Sequence, residues 1–154
     1  MDKSQLIALI VEQISNDLES ARTAALESAE SATDEEARAE NKYDTRGLES
    51  SYLASAQAHY AKELQDNLEA YHNLKLRGFT SSDPIALGAI VTTLSSKGME
   101  KYFVGPAQGG MELSTDFGGV LVITPKSPLG SQLIGQKVGH KTSGKDSKTI
   151  IRVE

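Results

Sequence analysis

Apolar residues in the first part of the chain recur at steps of three and four. Ile7, Val11, Ile14, Leu18, Ala21 and Ala25 form one such series. That is the a/d seam of a heptad, which lays its members on one stripe of a helix. Ser28 and Ala32 continue it. A second series follows with Leu53, Ala56, Tyr60, Leu64, Leu68, Tyr71 and Leu74. Two periodic segments close in sequence fold most simply as an antiparallel αα-hairpin, with an intermolecular coiled coil as the alternative. The first series starts with Ile, Val and Leu and turns to Ala and Ser from Ala21 onward. Each missing methylene forfeits about 0.8 kcal/mol of burial, so the far end of the hairpin is expected to be slim and marginal in stability.

Two signals compete for the bend. Thr33-Asp34-Glu35-Glu36 has the form of a capping box, which starts the second helix at Asp34. Equal arms from Lys3 to Leu76 instead centre the bend on Glu40-Asn41, with each arm about 36 residues or roughly 54 Å long. The bend is expected between Thr33 and Gly47, with Glu40-Asn41 favoured as its centre. Gly47 is expected to loosen or break the return helix.

Beyond residue 77 the pattern changes. Gly78 to Pro84 reads as a linker, since Pro84 blocks helix continuation. Ile85–Leu94 is rich in β-branched residues and reads as a strand. Ser95–Gly98 is a turn, and Met99–Val104 alternates as a second strand. Gly105–Gly110 makes another turn, and Val120–Thr124 is a buried-strand run. Ser127 then N-caps a short helix with Pro128 at its first position, and Gly135 ends it. Lys148–Val153 is a closing strand. The fold class is therefore α+β. A helical hairpin over 1–77 with an acidic tip near 33–47 is followed by a linker, 78–84. A small antiparallel-sheet domain with one short helix covers 85–154.

Charge follows the same divide. Of 154 residues, 1–78 hold 15 Asp/Glu and 8 Lys/Arg, a net −7, and 79–154 hold 6 and 8, a net +2. Eleven of the 13 glycines lie in the second half. The overall charge of −5 argues against strong independent nucleic-acid binding, which needs dense Lys/Arg. No apolar run approaches the roughly 18 residues of a membrane span, and the N-terminus lacks a signal-peptide cleavage pattern. With no Cys, disulfide frameworks, thiolate zinc sites and Cys nucleophiles are excluded. The composition fits a reducing compartment, and a cytoplasmic, membrane-free monomer is expected.

Chemical motifs are scarce. His59 and His72 are 13 residues apart, about 220° around a helix, so they do not share a metal. There is no G-x-S-x-G, H-E-x-x-H or P-loop, and the glycines of GPAQGG open no helix. A self-contained enzyme is not expected. The one concentration of chemistry is acidic. Asp34, Glu35, Glu36, Glu40, Asp44 and Glu49 crowd sixteen residues against Arg38, Lys42 and Arg46. Two readings fit. One is a solvated helix start whose acids complement the helix dipole. The other is a carboxylate cluster on a long lever, placed to reach a metal in another protein.

The second half also carries a longer pattern: IALGAIVTTL, then YFVGP, then VITPKSPLGSQLIGQKVGH. In the last run Ser127, Pro128, Leu129, Gly130, Leu133, Gly135 and Gly139 together match a run found in the Gre (GreA/GreB) transcript cleavage factors of bacterial RNA polymerase. The chain resembles that family strongly over 85–140, and more loosely around AENKYDT in the hairpin. The resemblance implies an FKBP-like C-terminal domain that docks at the rim of the polymerase secondary channel. It implies a coiled-coil hairpin entering that channel, so that tip acids help hold a Mg²⁺ shared with the polymerase and the polymerase cleaves backtracked RNA. The family's tip has an Asp and a Glu three residues apart, then Asn and a Tyr. Aligning Glu40-Asn41 puts Ala37 at the Asp position, and aligning Tyr43 puts Glu36 there but Ala39 at the Glu position. Neither register restores both carboxylates. Glu36 and Glu40 substitute as a pair, being one turn apart on one face if the segment is helical.

The resemblance therefore assigns Glu36 and Glu40 as carboxylates acting in trans, and as ligands only to the polymerase's Mg²⁺, with no cofactor of the chain's own. It assigns Asp34, Glu35, Asn41, Tyr43, Asp44, Ser127, Pro128 and Leu129 as polymerase-facing residues. A polymerase binder that regulates or inhibits without cleavage is the alternative. An FKBP-like isomerase or chaperone and an unrelated acidic adaptor are lesser ones. An isomerase needs an aromatic-lined pocket, and this half offers Phe79, Tyr102, Phe103 and Phe117.

Overall fold

The structure is a computed structural model that describes residues 2–33, 43 and 45–154. Two long helices come first, α1 (Lys3–Thr33) and α2 (Arg46–His72). A five-stranded sheet follows, formed by β1 (Ile90–Ser95), β2 (Gly98–Val104), β3 (Glu112–Thr115), β4 (Gly118–Ile123) and β5 (Thr149–Val153). The short helix α3 (Pro128–Leu133) lies between β4 and β5 in sequence. The chain divides into two compact units. One is Val11–Glu69; the other joins Met1–Ile10 to Ala70–Glu154, so the outer ends of both helices belong with the sheet.

The helices run antiparallel as a hairpin. Lys3 Nζ donates to the Arg77 carbonyl at 2.7 Å near one end, and Arg22 Nη2 donates to Gln65 Oε1 at 3.1 Å farther along. Asp2 caps α1 by accepting from the Ser4 N–H at 2.9 Å. The buried positions of α1 are Leu6, Ile10, Ile14, Leu18 and Ala21, whereas Ile7 and Val11 are half-buried. Steps of four carry a stripe about 40° further round a straight helix each time, so the core line slides off the heptad register toward the N-terminus.

A second shift occurs on α2. Leu64, Leu68 and Tyr71 are buried as the spacing requires. Farther toward the N-terminus of α2, Ala61 is buried and Gln57 and Ala54 are half-buried, while Leu53, Ala56 and Tyr60 are exposed. The facing stretch of α1 offers Ala21, Ala24, Ala25 and Ser28, all buried or half-buried. Interaxial distance follows the side chains at the contact, and a seam of alanines has no space for Leu or Tyr. The small residues turn inward and Leu53 and Tyr60 remain outside.

Thr33 is the last described residue of α1, and the rest of its capping box, Asp34 to Glu36, lies outside the described residues. The Thr33 hydroxyl donates back to the Ala29 and Glu30 carbonyls at 3.2 and 3.1 Å. Gly47 does not break α2 but occupies its first turn.

The sheet order is β3-β4-β2-β1-β5. All pairings are antiparallel except β2 with β4, which run parallel from Tyr102↔Leu121 to Val104↔Ile123. Val91, Tyr102, Val104, Ile123, Ile150 and Val153 pack with Leu133 of α3 and with Ile85 into one core. Residues 85–89 do not extend β1 as expected. The Ile85 N–H donates to Gln136 and its carbonyl accepts from Gly135, both at 2.8 Å, which ties this segment to the end of α3. β3 is an element the sequence pattern did not reveal. The expected linker is an ordered turn, with Asp83 Oδ2 accepting from the Thr80 N–H at 2.7 Å and its hydroxyl at 2.8 Å.

On the sheet, the Lys148 ammonium donates to the Glu100 carboxylate and holds it below the ordinary carboxylate range. A depressed folded-state value contributes stability in full above the unfolded value, and loses it as pH falls through the folded one. Denaturation from pH 7 to pH 3 is therefore expected to show a shallower acid loss in Glu100→Gln than in the parent.

The shifted seam has its own check. Leu64→Ala is expected to cost about 2–5 kcal/mol. Leu53→Ala is expected to stay within about 0.5 kcal/mol of the parent. Urea unfolding of the two variants measures both, and equal losses contradict the inward turn of Ala54 and Ala61.

Candidate functional site

The distal segment of the hairpin concentrates the acidic residues. The unit 11–69 carries 14 Asp/Glu against 5 Lys/Arg, a net −9, while residues 1–10 with 70–154 carry 7 against 11, a net +4. Where α1 ends, Ser31 and Thr33 bend their hydroxyls back onto helix carbonyls, Ser31 onto Glu27 at 3.0 Å. Where α2 begins, the Thr45 carbonyl accepts from the Glu49 N–H at 2.9 Å and its hydroxyl donates to Glu49 Oε1 at 3.0 Å. Glu49 thus stands in the first turn, where a carboxylate complements the helix dipole.

Of the sequence-predicted tip residues, Tyr43 is described and its side chain is 79% exposed. Asp34, Glu35, Glu36, Glu40, Asn41 and Asp44 lie outside the described residues, as does the Glu40-Asn41 bend centre. Among the described residues, no three His, Asp or Glu side chains gather as a metal site requires. Among them, too, no helix is long and apolar enough to cross a membrane. His59 and His72 are exposed on α2.

The spacing of apolar residues concealed a surface. Leu48, Tyr52, Leu53 and Tyr60 are 46–68% exposed along α2, and Leu26 of α1 is 66% exposed. Leu53 and Tyr60 read as seam residues because size and period alone do not tell which of two adjacent apolar positions faces the partner helix. The alanine content of the opposing stretch was the signal available.

The second group of predicted residues forms a built corner. Ser127 sits in extended conformation as the N-cap of α3, with Pro128 following it. Its hydroxyl accepts from the Gly130 N–H at 3.0 Å and donates to the Thr124 carbonyl at 2.8 Å. A Cβ on Gly130 would fall 1.8 Å from that same carbonyl oxygen. Leu129 is half-buried against the sheet core, and Pro128 is exposed. Ser127, Pro128 and Gly130 of the run that carries the family resemblance thus meet the requirement of one tight strand-to-helix turn. The aromatics of this half are dispersed: Phe103 is fully buried, Phe79 stands beside Lys3 and Arg77, and Phe117 beside Lys101.

These features define the class, a two-helix hairpin joined to a mostly antiparallel five-stranded sheet with one short helix. Among solved structures, the chain is similar to GreA factor homolog 1 (Gfh1) of Thermus thermophilus, at 21% identity over 97% of this chain and 93% of that one, with a TM-score of 0.38. A structure of the transcription factor Gfh1 is similar at 22% identity, over 94% and 92%, with a TM-score of 0.39. Thermus aquaticus Gfh1 is similar at 20%, over 93% and 92%, with a TM-score of 0.37. No family model and no curated protein matches the chain.

The corner geometry separates its two key residues by cost. Ser127→Ala is expected to lose about 1 kcal/mol with the cap. Gly130→Ala is expected to lose about 1–3 kcal/mol, because a backbone carbonyl must move. Thermal and urea unfolding measure both, and a neutral Gly130→Ala contradicts the close approach.

Proposed function

We propose that the chain is a Gre-type elongation factor that binds bacterial RNA polymerase through its secondary channel and stimulates cleavage of backtracked RNA. The chain itself is then an accessory factor, and the polymerase is the enzyme. The observation that carries the reading is the coincidence of architecture and charge. Two antiparallel helices close a unit of net −9, and the interval between them holds Glu36 and Glu40. An alanine seam suits an arm that must pass a narrow passage. The Ser127–Gly139 run adds the sequence pattern of the family's second domain.

In this reading Glu36 and Glu40 offer carboxylate oxygens at the polymerase active centre, where Mg²⁺ stabilises charge on the attacking and leaving oxygens. Hard cations take oxygen ligands, and a carboxylate brought in by a second protein meets that demand. Asp34, Glu35, Asn41, Tyr43 and Asp44 would face the channel, and Pro128 and Leu129 the rim. The Ser127 hydroxyl has both its bonds within the corner, so its part there is to hold the turn.

The tip sequence favours a second reading, a channel-binding regulator without cleavage. Neither alignment of Glu36 or Glu40 reproduces the family's full carboxylate pair. One experiment separates the two. The protein is added to a backtracked elongation complex with Mg²⁺, and RNA length and polymerase binding are both followed. Shortened RNA is expected. Glu36→Ala with Glu40→Ala is expected to abolish it while binding stays within about a few fold, since exposed tip charges act mainly at their own site. Binding without cleavage in the parent selects the second reading, and absence of binding overturns both.

A further inference from the structure

The far stretch of α2 carries apolar side chains that the fold does not use. Leu48, Tyr52 and Tyr60 are exposed, and with Ala56 they follow one another at steps of four, with exposed Leu53 beside them. Each step of four drifts about 40° round the helix, so they make one slowly turning stripe. Ala56 lies about 140° round the helix from Ala61, which is buried at the seam. The stripe therefore lies off the seam, and it belongs wholly to the unit 11–69. Apolar residues scattered singly on a surface are ordinary, but four large ones on one exposed helix face mark an interaction site.

Charge decides what covers it. Glu49 and Glu63 both fall within about 20° of Ala56 around the helix, so they stand on the stripe at its two ends. They are 14 residues apart, about 21 Å along the axis. Both are exposed. Among the described residues no ammonium or guanidinium pairs with either. Glu49 accepts from the Thr45 hydroxyl, which leaves its charge in place, and Lys62 pairs with Asp66 at 3.1 Å rather than with Glu63. A second copy of this chain is a poor occupant. Packed antiparallel, two stripes bring Glu63 of each copy against Glu49 of the other; packed parallel, they bring each carboxylate against its own equivalent. Either arrangement opposes like charges in a unit already at net −9.

We propose that this stripe docks an amphipathic helix of another protein, one whose apolar face runs for about four turns and carries Lys or Arg at both ends. Leu48, Tyr52, Leu53 and Tyr60 supply the apolar contact. Glu49 and Glu63 set the register by pairing with the two basic ends. Tyrosine suits such a surface, since its rigid ring brings a large area at small entropic cost and its hydroxyl stays wet at the rim. The inference stands apart from the polymerase reading, which rests on the interval between the two helices and not on this flank of α2.

The test titrates the full chain into three labelled synthetic helical peptides, read by fluorescence anisotropy. The first carries Leu at steps of three and four, with Lys at both ends at the spacing of Glu49 and Glu63. The second has Gln in place of the Leu residues, and the third has Glu in place of one terminal Lys. Saturable one-to-one binding of the first is expected, with the second at least about tenfold weaker, because the apolar face carries the affinity. Tyr52→Gln with Tyr60→Gln is expected to lose a similar factor, and both rings are exposed, so the fold is expected to hold. Glu63→Lys is expected to weaken the first peptide and strengthen the third, each by about two- to fivefold, the size of an exposed ion pair. No saturable binding of the first peptide, or equal binding of the second, overturns the proposal. So does an affinity unchanged in the double tyrosine variant or in Glu63→Lys. Dimerisation of the parent in sedimentation that the double tyrosine variant abolishes also overturns it, since a second copy then covers the face.

Discussion

The contact of Tyr71 with the turn after β2 ties the last turn of α2 to the sheet. The ring is buried in the last turn of α2, and its hydroxyl donates to the Ala107 carbonyl at 2.8 Å. Burial pushes that phenol well above its ordinary range, so it stays a neutral donor. A Cβ on Gly105 would stand 2.3 Å from the hydroxyl and 3.1 Å from Val122 Cγ1, so a residue without a side chain occupies that position. The Gly105 N–H in turn donates to Ile123 at the end of β4. One ring therefore fixes the end of a helix against the place where β2 and β4 run parallel. The next residue, Thr124, supplies the carbonyl on which the α3 corner is built. A buried hydroxyl without its acceptor costs about 1–3 kcal/mol, which makes the position of this turn strongly specified.

Along the hairpin the constraint is of another kind. Large apolar residues lie between the helices from Leu6 to Leu18 and from Leu64 to Tyr71; beyond them the seam is alanine and serine on one side and alanine and glutamine on the other. Burial energy per residue falls along this direction, since an alanine removes far less apolar area from water than a leucine. The gain is a thin cross-section, and its consequence is that Tyr52, Leu53 and Tyr60 stay on the surface. Those side chains contribute little to the fold, so their presence on α2 is not explained by stability.

Much of this was legible beforehand, and the failures have definite causes. The two helices, the β2 strand and the Ser127-Pro128 cap are set by local signals: period, alternation and a side chain that satisfies an orphan N–H. The seam register on α2 was not local. It depended on what the opposing helix allowed, and Leu53 beside Ala54 or Tyr60 beside Ala61 looks alike in a hydropathy pattern. β3 is four residues long, too short to show alternation. The segment from Ile85 to Ala89 looks like strand because it is apolar and leads into a β-branched run, yet the backbone bonds of Ile85 go to Gly135 and Gln136 some fifty residues away, and only Gly88 and Ala89 bond to Val104 of β2. The acidic interval was evident as composition, but its carboxylate geometry lies outside the described residues.

The division of charge bears on how two such units share one chain. A unit with 14 acids and 5 bases has too few internal partners to neutralise itself, and exposed pairs at its surface are worth little. Its field is screened within roughly 8–10 Å at physiological salt, so it acts on a neighbour only at short range. Under the proposed reading that neighbour is a bound cation at the end of a passage, which an acidic arm reaches by contact rather than at a distance. The other unit carries 7 acids against 11 bases and pairs several of them internally, Arg77 with Asp83, Arg152 with Glu154 and Lys148 with Glu100, so the larger net charge, −9 against +4, lies on the acidic arm.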